Sequence, residues 1–230
     1  MIREDLGVYL GIVSSRRPNN VKFLEDKIGK FTWYVRDEKD KKSYDSKNDI
    51  KISGSLCASR NLCLRDAWSL GIPCVQISDD LKKINNLSGD EIIFSDCVKI
   101  MLSELEKTNF KMCGVSPTSN SFFGKNKNSY RLFCVGDFIM VKPCNIFFDE
   151  NLNLKEDYDY TIQHIERYGG ALRLNNILPS FLHRTNPGGA VDYRNDESEN
   201  RAIEYLFKKW PGRFRINSKR KNEILLNFKG

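Results

Sequence analysis

The chain has 230 residues, enough for one sizeable core, and its 40% apolar and 29% charged content excludes a disordered or fibrous protein. A formal charge of +7 and a pI near 9.0 favour nucleic acid or phosphorylated substrates as partners, although a lysine-rich solvated surface explains the same excess. No apolar run has membrane-spanning length, and the seven cysteines, odd in number and without a C-x-x-C pair, read as buried free thiols of a reducing, cytoplasmic compartment.

Leu6 to Val13 is an apolar run of strand formers that stops at the turn-forming, cationic stretch Ser14-Ser15-Arg16-Arg17-Pro18-Asn19-Asn20. Val21 to Ile28 reads as a short helix, and Phe31 to Val35 as a second strand ending on Arg36-Asp37. The lysine-rich segment from Glu38 to Lys51 is expected to be an exposed loop. From Leu56 to Leu70 the residues Leu56, Cys63, Ala67 and Leu70 fall on one helical face, with Asn61 and Arg65 on another, and Gly71 with Pro73 marks the stop. Pro73 to Ile77 is a further brief strand that runs into Ser78-Asp79-Asp80. Alternating strands and helices of this kind predict a parallel sheet with ligand groups at the strands' C-terminal ends.

Phe94 to Lys107 is amphipathic and helical; Ser116 to Ser129, rich in Ser, Asn and Gly around Phe122-Phe123, reads as a long loop or hairpin arm. Strands are expected over Tyr130 to Val141 and Asn145 to Phe148, and a helix over Tyr158 to Tyr168. Arg173 to Leu182 is strand or irregular, His183 to Gly189 a turn-rich loop, Glu197 to Trp210 a helix, and the tail from Arg213 strongly basic. No repeat or interdomain linker interrupts the chain.

Two carboxylates just past a buried strand can hold a hard divalent cation against a diphosphate, which makes Asp79-Asp80 the weightiest feature; the bland reading is a cap on a turn from Leu81 to Ile84. Ser14, Ser15, Arg16 and Arg17 after the first strand, and Asp37 after the second, belong to the same sheet edge and could meet phosphate, ribose or base. Arg60, Asn61 and Arg65 add donors on the neighbouring helix. Glu156 and Asp157 are either the N-terminal cap of the following helix or a general base with an acceptor-orienting partner. His183, in a polar loop, suits ligand or catalytic work, whereas His164 inside a helix is structural.

Together with the runs GVSPTSNSFFGK, VGDFIMVKP, LKEDYDYTIQHIERYGG, LHRTNPGG and KWPG, these elements resemble the GT-A glycosyltransferases, and in particular the TET/JBP-associated glycosyltransferase family of phages, other viruses and eukaryotes. The resemblance implies an α/β fold with a GT-A-like, Rossmann-type nucleotide-binding sheet in residues 1–107 and an acceptor-binding, catalytic C-terminal half in residues 108–230. It implies a UDP-sugar or similar donor, a Mn or Mg ion on Asp80 and His183, a ribose contact from Asp79, Asp157 as base, and a 5-hydroxymethylpyrimidine in DNA as acceptor. Ser78 stands where the commonest D-x-D spelling has its leading acid. The rival classes are a sugar-phosphate nucleotidyltransferase, whose glycine-rich loop and lysine SSRRPNN lacks, and a non-catalytic nucleic-acid-binding module, which leaves the four acids without a task. No membrane and no obligate protein partner is implied.

Overall fold

A computed structural model describes residues 1–182, 188–189 and 194–228. The short strand β1 (Ile2–Arg3) pairs antiparallel with the start of β2 (Val8–Ser14), whose residues are nearly all buried. Helix α1 (Val21–Ile28) follows, then β3 (Thr32–Val35), α2 (Glu38–Ser43), β4 (Asp49–Ile52), α3 (Leu56–Ser69) and β5 (Cys74–Ser78). Next come β6 (Leu81–Asn85), α4 (Phe94–Glu106), β7 (Met112–Val115), β8 (Phe138–Val141), α5 (Glu156–Tyr168), β9 (Leu172–Leu174) and β10 (Leu178–Phe181). The chain closes with α6 (Asp196–Lys209) and the hairpin strands β11 (Phe214–Ile216) and β12 (Ile224–Leu226).

Seven strands form one mostly parallel sheet in the order β4-β3-β2-β5-β8-β7-β9, in which β8 alone runs antiparallel to its neighbours. Both halves of the chain contribute to it. Period-two alternation along β2 explains its continuous burial: Leu10 and Ile12 face a core shared with Leu24 of α1 and Met101 of α4, while Tyr9 and Val13 face Leu64 and Ala67 of α3. A third cluster joins Ile162 of α5 to Ala202 and Leu206 of α6 and to the terminal hairpin. Strand β6 leaves the main sheet and pairs with β10 as a separate ribbon, placing Leu81 opposite Phe181.

The structure corrects several sequence expectations. Glu38 to Lys51 is not an exposed loop: it holds α2, the charged edge strand β4 and the buried side chains of Asp40 and Tyr44. Strand β4 has only one half-buried position, Ile50, because an edge strand on this sheet carries polar residues that discourage further pairing. Leu81 to Ile84 is strand rather than turn. Of Tyr130 to Val141 only the last four residues are strand, and Asn145 to Phe148 is irregular. Leu70 ends exposed instead of on the buried face. All seven cysteines are free, and six are buried.

Gly11 lies where α3 approaches the sheet most closely, since a Cβ there would run into Cys63 Sγ and the Tyr34 ring. Gly11→Ala should therefore cost roughly 1–3 kcal/mol by overpacking. Urea denaturation of the variant checks this, and an unchanged midpoint would mean that α3 moves aside without cost.

Candidate functional site

In the order β4-β3-β2-β5, successive connections lead away from β2 on one side and reach β5 on the other, so the boundary between β2 and β5 is the point at which the strand order reverses. In open α/β sheets ligands bind outside the strands' carboxyl ends at such a point. Val13 is paired with Ser78 there, which sets Ser14 beside Asp79.

The Asp79 carboxylate is buried and fully engaged. Ser14 Oγ donates to one oxygen, and Arg17 Nη1 lies 2.6 Å from the other. Because the Ser14 proton is committed to Asp79, the Tyr44 hydroxyl must donate to Ser14 Oγ at 2.5 Å, and it accepts the Arg17 backbone N–H at 3.1 Å. Asn20 Nδ2 donates to the Asp79 carbonyl at 2.8 Å. Burial pushes the Asp79 carboxyl up to about 6 although Arg17 and Ser14 pull it down, and it pushes Tyr44 up to about 12. Asp80 is also buried, its carbonyl accepts the Leu182 N–H at 3.1 Å, and its carboxylate lies 3.7 Å from Arg17 Nη1. One guanidinium thus faces both acids, a position at which a cation is electrostatically favoured.

Across β5 the antiparallel entry into β8 brings in a second acidic group. Asp137 accepts from Ser78 at its backbone carbonyl (2.8 Å) and from Ser78 Oγ at its carboxylate (3.0 Å). The preceding Gly136 donates its N–H to Asp157 Oδ2 at 3.2 Å, while its carbonyl accepts from Arg60 Nη1 at 2.8 Å. A side chain at Gly136 would press on Arg60 and on the Asp157 Cβ, so glycine is needed for this approach. Arg60 Nε is 3.4 Å from Glu156 Oε1. Burial, reinforced by neighbouring Glu156, pushes Asp157 up to about 7; burial also raises Glu156, against the pull of Arg60. A cavity of about 180 Å³ opens beside these groups, lined by Ser116, Thr118, Asp137, Pro179 and Phe181 among others.

Ser14, Arg17, Asp79, Asp80, Glu156 and Asp157 are therefore linked through β5, Ser78 and the Gly136-Asp137 turn. The other expected residues have different surroundings. Ser15 accepts the Gly189 N–H at its carbonyl (3.0 Å); Arg16, exposed and at φ 60°, donates its backbone N–H to Asp40 (3.1 Å). Asp37 caps α2 by accepting the Asp40 N–H at 2.9 Å. Arg60 reaches the site from behind Gly136. Asn61 is buried and satisfied on both faces of its amide by the Phe148 backbone and Glu150, and Arg65, in the last third of α3, lies over the Phe147 ring. Neither is brought to the strand ends. The expectation that Asp157 or Glu156 caps α5 is overturned: the cap position is Lys155 in the left-handed conformation, and both acids belong to the first turn. There the helix's unsatisfied N–H groups favour carboxylates.

His183 lies outside the described residues. Among the described residues no group of three or more His, Cys, Asp or Glu is arranged to hold a metal. With the Asp79 carboxylate taken up by Ser14 and Arg17, an ion here would rest on Asp80 and a substrate's phosphates, as Mg²⁺ commonly does, rather than in an all-protein cage. Asp40, Tyr44 and Asp137 were not anticipated. The Asp37-x-x-Asp40 cap spacing signals the first, whereas Tyr44 in a lysine run and Asp137 within an apparent strand carry no local signal. No protein-family model matches the chain, and no curated protein is similar enough to it to match.

Among the described residues no helix is long and apolar enough to cross a membrane.

Asp157 holds its proton to about 7 in the folded protein against an ordinary 3.8. The folded state therefore binds the extra proton, and this contribution to stability is complete below about pH 4 and lost as pH rises through 7. Asp157→Asn should flatten the fall in urea midpoint across that window. An identical pH dependence in the variant would assign the titration to another group.

Proposed function

We propose that the protein is a nucleotide-sugar-dependent glycosyltransferase of the GT-A kind, with the diphosphate end of the donor at the β2–β5 crevice and a hydroxyl acceptor on the Asp157 side. The observation that carries this reading is the pairing of two acidic groups, buried Asp79-Asp80 and buried Glu156 with half-buried Asp157, joined through Ser78, Asp137 and Gly136.

The chain's own residues divide the work. Asp79 anchors the Ser14–Asn20 loop through Ser14, Arg17 and Asn20 and so fixes the wall of the crevice in which a diphosphate would lie. Asp80, with His183, would hold a Mn or Mg ion, which when bound offsets the charge of the departing diphosphate. Asp157, with its raised proton affinity, takes the proton of the acceptor hydroxyl as that oxygen bonds to the anomeric carbon and the bond from that carbon to the diphosphate breaks. Glu156, held by Arg60, keeps negative charge beside Asp157 and so raises its basicity. The excess of cations and the acceptor implied by the resemblance agree on a hydroxymethylated pyrimidine in DNA.

The test is a panel of nucleotide sugars with Mn, with and without hydroxymethylated DNA. Asp80→Ala should abolish transfer, and a chelator should do the same to the unaltered protein; full activity in chelator removes the metal from the mechanism. Asp157→Asn should lower turnover by roughly 100-fold or more with donor binding retained. Asn keeps the oxygen that Asp157 offers the Tyr158 N–H at 3.0 Å, so loss of turnover in this variant is not explained by fraying of α5. An active Asp157→Asn protein moves the base to another acid.

A further inference from the structure

Three residues beyond Ser119, which lines the cavity, the chain does something costly. Phe122 and Phe123 are 85% and 65% exposed, adjacent in sequence, and set edge to face with centroids 5.2 Å apart. Scattered apolar residues on a surface are ordinary, but an adjacent pair of bare rings is not. The rings also stand on a braced support. Asn120 Oδ1 accepts the Phe122 N–H at 3.0 Å, Gly124 N–H bonds the Ser121 carbonyl at 3.0 Å, and Lys125 N–H bonds the Asn175 carbonyl at 3.1 Å. Asn175 Nδ2 in turn donates to the Lys127 carbonyl at 2.8 Å. Gly124 packs closely enough that a Cβ there would collide with the Leu87 side chain and crowd the Asn175 carbonyl. The loop is thus fixed to the floor beneath it while its two aromatic side chains point away from any core.

Charge identifies the occupant. Between Ser116 and Arg131 the sequence contains Lys125, Lys127 and Arg131 and not a single acid; the remainder is largely Ser and Asn. Lys125 and Lys127 are exposed. Fixed aromatic faces among cations and hydrogen-bonding amides match a chain of flat bases joined by phosphates, because every base has a face to stack and every linkage a negative charge. An apolar protein groove would gain nothing from the lysines. The start of the same loop, Ser116 to Ser119, lines the cavity, so one loop carries both the rings and a wall of a compartment that is small beside the roughly 300–1,000 Å³ of ordinary ligand sites.

We propose that the loop from Ser116 to Arg131 is a single-stranded nucleic-acid-binding element, with Phe122 and Phe123 stacking on bases and Lys125 and Lys127 meeting the flanking phosphates. In a duplex the same rings act on a base that has left the stack, which is the state in which the neighbouring cavity is able to receive it. The proposal deepens the acceptor side of the proposed function and rests on it for the use of the cavity, but binding itself requires no transfer chemistry.

The experiment is fluorescence anisotropy of a labelled single-stranded oligonucleotide and its duplex, without donor, on the full chain. The unaltered protein should bind the single strand, and the Phe122→Ala/Phe123→Ala variant should bind it roughly 5- to 150-fold more weakly for each stacked base lost. Its melting temperature and its nucleotide-sugar binding should not change, since the rings support nothing. Lys125→Glu/Lys127→Glu should weaken binding and reduce its salt dependence. Equal affinity of the phenylalanine variant and the unaltered protein overturns the proposal, as does failure of the unaltered protein to bind either nucleic acid at low salt. Nucleotide-sugar hydrolysis measured on the same preparations separates the two readings: binding lost in the loop variants of a protein without hydrolysis upholds the loop and sinks the transferase, and hydrolysis without nucleic-acid binding does the reverse.

Discussion

Burying the Asp79 carboxylate is the constraint around which the site is organised. A carboxylate taken out of water must be neutralised or supplied with donors, and here the donors are Ser14 at the end of β2 and Arg17 in the loop beyond it. Meeting that requirement ties the exit of β2 to the exit of β5, fixes the loop from Ser14 to Asn20, and recruits Tyr44 from the segment between β3 and β4. The geometry at the switch point is therefore a by-product of satisfying one acid. Asp80, its neighbour, is placed by the same backbone but held by a different element, the ribbon strand that ends at Phe181 and Leu182.

The second acidic group obeys another logic. Glu156 and Asp157 occupy the first turn of α5, where orphan N–H groups and the helix dipole stabilise negative charge, yet both carboxyls hold their protons more tightly than usual because each is withdrawn from water, and at Asp157 because Glu156 stands beside it. Arg60 and the Gly136 N–H offset this only in part. Burial raises an acid in each pair, Asp79 to about 6 and Asp157 to about 7, but Asp79 is bound by Arg17 and Ser14 whereas Asp157 has a second carboxyl beside it, and surroundings that differ in this way are a usual basis of divided roles.

Much of this was legible in the sequence where periodicity was strong. The runs at Val8–Ser14, Val21–Ile28, Leu56–Ser69, Cys74–Ser78 and Phe94–Glu106 alternate or repeat cleanly because each packs one face or both against a core, and from their alternation followed the sheet edge on which Asp79 and Asp80 lie. What stayed hidden is long-range. Asp40 and Tyr44 sit in a lysine-rich stretch whose exposed face dominates its composition, and it is the packing of Tyr44 on Trp33 and its hydrogen bonds to Ser14 and Arg17 that take it inside. Asp137 looks like one polar position in a strand; its importance comes from the antiparallel turn into β8, which pairs it with Ser78 across 59 positions of chain. Asn61 and Arg65 showed the opposite failure, since helical spacing put them on a polar face but could not reveal that Phe148 and Phe147 would cover that face.

The β6–β10 ribbon has a consequence for how this molecule comes into being. Leu81 is paired with Phe181, and Leu182 binds the carbonyl of Asp80, so the surroundings of an acid encoded in the first half of the chain are completed by residues encoded far into the second. A nascent chain can close β2, β3, β4 and β5 over their helices as soon as those segments emerge from the ribosome, because these contacts are comparatively local. The Asp80 corner must wait for a loop of high contact order to close. A chain cut short before Leu178 would thus carry β2 to β5 and Asp80 itself but leave that acid's corner open.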